Sequence, residues 1–370
     1  MSRKKFNPIL ILFVALGMIC GIFGGNMIEY LENNGLSSPF SLLFIMTIFI
    51  ISICVVPIIH ESGHLVMGLI TGYDFVSFRV GNFAIVKENN KLKKKKFNVV
   101  GTGGQCILSY KKVEYPEEIP YFWYHFGGVF FNFLATAICM GVTIFSKNIL
   151  INVGLGIFAA ISLVTGIINI IPTKATGIGS DGYNLMIFRK SAINRIANYK
   201  ILLLNALQYQ GIKLEDMPKE ITTFTEEEKS CEFGAALSII EANLLMNQHD
   251  FKSAEKIYRS VVENEETYAL YQNESKCEMM FCMIMNGCSI EEINKIYDKN
   301  IRQYIMMTGK TYIMRKRLMY AYYLIIEKNQ EKAKMEYNSA LQMQSTYPAK
   351  GEYLSEMDLI EYVRKNFQHI

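Results

Sequence analysis

Three residues in an otherwise apolar stretch are equipped for chemistry. His60, Glu61 and His64 fall in PIIHESGHLVMGLITG (57–72), directly after FSLLFIMTIFIISICVV (40–56), which carries no formal charge. On a helix the two imidazoles, four residues apart, point from one face toward one ion. Glu61, beside the first of them, can take a proton from an attacking water and hand it to a leaving amine. This H-E-x-x-H spacing is that of zinc hydrolases. A chance match would strand Glu61 in an apolar helix, at roughly several kcal/mol. Ionisable groups at membrane depth are functional by default, and the chain spends two of its five histidines here.

A two-histidine zinc site needs a third protein ligand and an open position. His249 and His369 lie deep in the charged half of the chain. His125 opens the third long apolar segment, where packing or headgroup contact accounts for it. The better candidate is Asp181, in NIIPTKATGIGSDGYNLMIF (169–188), at a glycine-rich turn before a short apolar run. An aspartate there also suits a plain helix N-cap, so both readings stand.

These residues must be positioned by membrane helices. Hydrophobic residues make up 51% of the 370, and almost all long apolar runs precede residue 173. Spans are expected at about 8–28, 40–70, 120–145 and 149–172, each near or above the roughly 20 residues needed to cross hydrocarbon. The run 8–28 has a basic start but no clear cleavage site, so it reads as a retained anchor. Arg3, Lys4 and Lys5 put the N-terminus in the cytoplasm, and Lys91 and Lys93–Lys96 then fall on the same side. The lysine run is thus explained by topology, and no nucleic-acid partner is expected. The ends of the second and fourth spans meet on the cytoplasmic side. Between spans two and three, VSFRVGNFAIV (76–86) and FNVVGTGGQCILSY (97–110) have strand character. They suit a re-entrant sheet lining a site or an ordinary cytoplasmic hairpin. The eight cysteines show neither zinc-knuckle spacing nor a disulfide framework, so reduced thiols are expected.

Charges concentrate after residue 189. AEKIY, INKIY and AKMEY end at Tyr258, Tyr297 and Tyr337, at intervals of 39 and 40. Apolar helices 234–246 and 317–326 precede the first and third. The pattern resembles tetratricopeptide-like helix pairs, whose period is about 34. The tyrosines read as packing between helices, and the array as a surface for a protein partner.

Taken in order, the motifs resemble the site-2 protease family of intramembrane zinc metalloproteases. HESGH (60–64), GGVFFN (127–132, like G-G/P-x-x-x-N) and NIIP followed by DG (169–172 and 181–182, like N-x-x-P…D-G) carry the resemblance. GGQCIL (103–108) looks like the family's glycine-rich strand. The likeness covers residues 40–190. It implies that His60, His64 and Asp181 hold one Zn²⁺ and that Glu61 is the general base. It further implies that Asn132 lies near the substrate path and that Asn169 positions substrate or transition state. Gly127 and Gly128 equally suit close helix packing, and the two asparagines suit bonds across helices. One departure stands out: eight residues separate Pro172 from Asp181, where the family more often has about four.

The expected fold is an all-α polytopic membrane protein. It has about four transmembrane helices and a small re-entrant β segment, followed by a cytoplasmic α-helical hairpin array. Expected domains are an anchor and outer loop (1–39), a metalloprotease core (40–190), linker helices (191–230) and the helical array (231–370). The expected protein is a multi-pass cell-membrane protein with both termini cytoplasmic. Its expected activity is that of a zinc metalloendopeptidase cutting a transmembrane or membrane-associated peptide near the cytoplasmic face. The alternative is a non-catalytic membrane scaffold working through its array, against which an intact Glu61 argues. A transporter is disfavoured by four short-looped spans without internal repeats.

Overall fold

A computed structural model of the chain describes residues 24–97, 99, 102–111, 113–175 and 177–367. Three helices are long and apolar enough to cross a membrane: α1 (Ser38–Ile70), α2 (Phe122–Phe145, extended by a 3-10 turn from Pro116) and α3 (Ile149–Ile170). Only 11% of the most apolar window of α1 is buried, and 28% of those of the other two. The first expected span, 8–28, lies mostly outside the described residues; 24–32 are helical.

Contacts divide the chain into two units, with boundaries inside α1, α2 and α3. The first holds the described residues up to His60 together with Val129–Ile168. There Leu31 is fully buried against Val153 and Ile157. Gly166 lets α3 approach α2, since a Cβ there would lie 2.7 Å from the Phe133 ring. Ser162 donates to the Asn132 carbonyl across the same helix pair, at 3.0 Å.

The second unit holds Glu61–Gly128 and Asn169–Ile370. After α1 the chain forms a four-stranded antiparallel sheet in the order β3-β2-β1-β4, with β1 Asp74–Val80, β2 Phe83–Glu88, β3 Lys91–Lys96 and β4 Gly104–Ser109. The hairpin of β2 and β3 closes on Asn89 and Asn90, both with positive φ (51° and 59°), the backbone that a two-residue type I′ turn demands. Of the strand expected over 97–110, the described residues form one at Gly104–Ser109. The lysine run, read only for its charge, is itself a strand. Lysine has weak β-propensity, but the Asn-Asn turn folds the run back on β2, and lysines blunt the exposed edge. Lys93 pairs with buried Glu88 at 2.7 Å, and Lys95 donates to the carbonyls of Ser345 and Tyr347.

A two-stranded hairpin, β5 (Lys174–Ala175) and β6 (Ile178–Gly179), leads into α4 (Asp181–Lys190) and α5 (Ala192–Tyr209). Two short helices follow, α6 (Lys219–Thr222) and α7 (Glu226–Lys229). The remainder is helical: α8 (Gly234–Asn247), α9 (Phe251–Glu263), α10 (Ala269–Met285), α11 (Ile290–Ile296), α12 (Lys299–Thr308), α13 (Ile313–Ala321, continued by a π turn to Ile326), α14 (Gln330–Gln342) and α15 (Lys350–Phe367). Several neighbouring helices pack on one another, α8 on α9, α9 on α10 and α13 on α14. Tyr258 of α9 is fully buried and donates to Asn243 of α8. Tyr337 of α14 donates to Glu361 of α15 at 2.8 Å. Tyr297, just past α11, packs on Tyr322 with ring centroids 4.9 Å apart. One core runs from the sheet (Val76, Val86, Ile107) through Ala206 and Tyr209 of α5 into the array (Tyr258, Phe281, Leu318).

Candidate metal centre

His60 and His64 lie one turn apart on α1, as their spacing requires. The ligand atoms of His60, His64 and Asp181 all fall within 4.8 Å of one another. His64 Nε2 is 3.4 Å from Asp181 Oδ1. Among the described residues this is the group of histidine, cysteine and acidic side chains that can hold a metal.

Local structure explains why Asp181 is available. Ser180, not Asp181, is the N-cap of α4, its hydroxyl accepting from the Tyr183 amide at 3.2 Å. That hydroxyl also donates to the Ile171 carbonyl at 2.7 Å. The Ser180 amide donates to Thr173 O at 2.8 Å, closing the β5–β6 hairpin. The long Pro172–Asp181 separation is therefore looped out, and its two ends stay together. Gly182 makes the join possible: a Cβ there would sit 1.9 Å from the Ile170 carbonyl oxygen.

Each imidazole has a hydrogen-bond partner on its other nitrogen. His64 Nδ1 donates to the Tyr124 carbonyl at 2.7 Å, which leaves the Nε2 lone pair on the side of Asp181. The Asn132 amide lies 3.2 Å from His60 Nδ1. Its Oδ1 is buried with no hydrogen-bond partner among the described residues. Turning the carboxamide by half a turn lets Oδ1 accept an Nδ1–H from His60, again freeing Nε2 for a metal. Two neutral imidazoles and a carboxylate, held from behind in this way, fit a zinc ion. Asn132 is thus beside a candidate ligand. Asn169 occupies the last turn of α3, adjoining the Ile170 carbonyl that Gly182 approaches.

Glu61 faces β4. A Cβ on Gly104 would lie 2.6 Å from Glu61 Oε1, so only glycine leaves the carboxylate its place. Gly127 allows a second close approach, since a Cβ there would be 2.3 Å from the Gly63 carbonyl oxygen. Small residues in HESGH and GGVFFN thus bring two helices into backbone contact. Tyr124 adds a side-chain tie, its hydroxyl donating to the Cys106 carbonyl of β4 at 2.9 Å.

Three contributors escaped the sequence reading. Tyr124 acts on His64 through its backbone, which no residue type reveals. Ser180 carried a signal, a serine immediately before Asp-Gly. Arg79, a lone charge in a strand-like run, is 1% exposed. It donates to the Gly81 carbonyl at 2.8 Å and to the Thr102 hydroxyl, holding the segment that leads into Gly104. Burial lowers its pKa from the ordinary arginine value, and the Glu61 carboxylate opposes that shift. His125 packs against Phe188, ring centroids 4.9 Å apart, outside the ligand group.

The chain matches no protein-family model, no curated protein and no solved structure at a significant level.

Proposed function

We propose that the chain is an intramembrane zinc metalloendopeptidase of the site-2 protease kind, cleaving a transmembrane or membrane-associated peptide near the cytoplasmic face. The observation that carries this reading is Glu61 beside the His60–His64–Asp181 group, on a helix apolar enough to span a membrane. A zinc ion bound there supplies Lewis acidity to the scissile carbonyl and to the attacking water. Glu61 accepts the water proton as the C–O bond forms, and delivers it to the amide nitrogen as the C–N bond breaks. The products are a carboxylate and an amine. Asn132 and the Tyr124 carbonyl keep the imidazoles in the ligating tautomer. The substrate helix must unwind before its amide is accessible, and β4, the last strand of the sheet, offers an edge for the extended segment to pair with. The basic residues flanking the spans favour cytoplasmic termini.

The test is zinc per chain in the detergent-purified protein, with His60→Ala and Asp181→Ala beside it. About one zinc is expected, lost in both variants. Glu61→Gln should keep the metal and lose cleavage. Full biological function in Glu61→Gln would instead support the scaffold reading, with the helical array as the working part.

A further inference from the structure

On the side of the sheet covered by α5, two adjoining hollows of about 310 Å³ and 350 Å³ share Asn205, Gln208, Glu274 and Glu352 in their walls. The larger also takes in Gln105 of β4, and the smaller Glu278 and Glu356. Two features define their chemistry. The first is an imbalance of charge. Arg315 pairs with Glu278 at 2.8 Å and with Glu274; Arg317 pairs with Glu356 at 2.6 Å and with Glu278. Two guanidinium groups thus serve three carboxylates. Glu352, the fourth, has the Tyr347 hydroxyl, which donates to it at 3.0 Å, and no arginine or lysine within ion-pair distance among the described residues. Burial first, then the charge of Glu356, pushes its carboxyl up to about 7. The second feature is independent of charge. The carboxamide residues Gln105, Asn205 and Gln208 line the larger hollow. Carboxamides in a groove suit the alternating N–H and C=O groups of an extended main chain.

A bare cation would need only about the room of a water molecule, far less than these hollows provide. The size and lining suit a peptide. Its path is set by β4, where successive side chains alternate between faces. Gly104 abuts Glu61, and Gln105, next in line, lines the hollow. We propose that this hollow is a specificity site, taking a lysine or arginine side chain of an extended peptide lying along β4. The peptide's identity as substrate rests on the peptidase reading; the binding preference does not.

The experiment uses the full chain carrying Glu61→Gln, immobilised in detergent. It is offered three libraries of peptides of about twelve residues with randomised flanks and a fixed central lysine, norleucine or glutamate, and retention is read by mass spectrometry. Retention of the lysine library should exceed that of norleucine by roughly tenfold, the scale of one desolvated charge pair. Adding Glu352→Gln, which keeps the shape and removes the charge, should bring the two libraries to parity without lowering the melting midpoint. Equal retention in the Glu352 protein, or a lysine preference that survives Glu352→Gln, overturns the proposal. A wild-type chain that binds no zinc would end the peptidase reading, yet the library comparison would still decide this one.

Discussion

On the proposed reading, His60 and His64 bind a metal well only if each imidazole is held from behind. The Tyr124 carbonyl does this for His64 and Asn132 for His60. Loss of such a partner typically weakens metal binding by about 10- to 100-fold. Asn132→Leu should therefore lower zinc affinity by that order, read by competition with a chelator, with helix content unchanged. Glu61→Gln should leave zinc affinity within about twofold and reduce cleavage by roughly 10²- to 10⁴-fold, the range for a lost general base. Equal zinc loss in the two variants would show that Asn132 has no special place behind the ligand. At this scale the sequence was informative where side chains do the work. It was silent where a backbone carbonyl does, because every residue carries one.

At the scale of elements, glycine decides how closely the parts approach, and the three contacts predict different failures. Gly127→Ala and Gly182→Ala would press a methyl group into backbone oxygens at 2.3 Å and 1.9 Å. Neither helix end can yield cheaply, so each substitution should destabilise by about 1–3 kcal/mol, seen as a lower melting midpoint in detergent. Gly104→Ala meets instead the tip of the flexible Glu61 side chain. The fold should stand with its midpoint nearly unchanged, while Glu61 is displaced and cleavage falls at constant zinc content. A large drop in the Gly104→Ala midpoint would show that β4 is positioned by something other than this contact. The glycines were visible in the motifs; which of them meets backbone and which meets a side chain was not.

At the scale of the molecule, the sheet and the helical array share one core, and a polar cluster lies within it. Glu352 belongs to this cluster and titrates near 7 in the folded chain, against an ordinary 4.5. The folded state therefore holds this proton more tightly than the unfolded chain does. The stability it lends is full below about pH 4.5 and is lost as pH rises through 7, amounting to on the order of 3 kcal/mol. Glu352→Gln removes that dependence. Its melting midpoint should exceed that of the wild type at pH 8 and match it near pH 5. Identical pH profiles for the two proteins would mean that Glu352 ionises normally.

Sequence alone pointed to the long apolar helices, three of the four expected spans being present among the described residues, because lipid and a packed interior both demand unbroken hydrophobic runs. It also determined that His60 and His64 share a helix face, because four residues are about one turn. It pointed to strands between the second and third spans, and to paired helices after residue 230. Tertiary structure decided the rest. Asp181 meets His64 because the eight residues between Pro172 and Asp181 fold into a hairpin closed by Ser180, a long-range outcome that spacing alone does not indicate. Lys91–Lys96 is a strand because its partner and turn outweigh its own propensity. Arg79, Tyr124 and Gly104 matter because sheet and helices converge at Glu61. Spacing fixes what lies within one helical turn; what meets across the fold depends on packing, which no local pattern encodes.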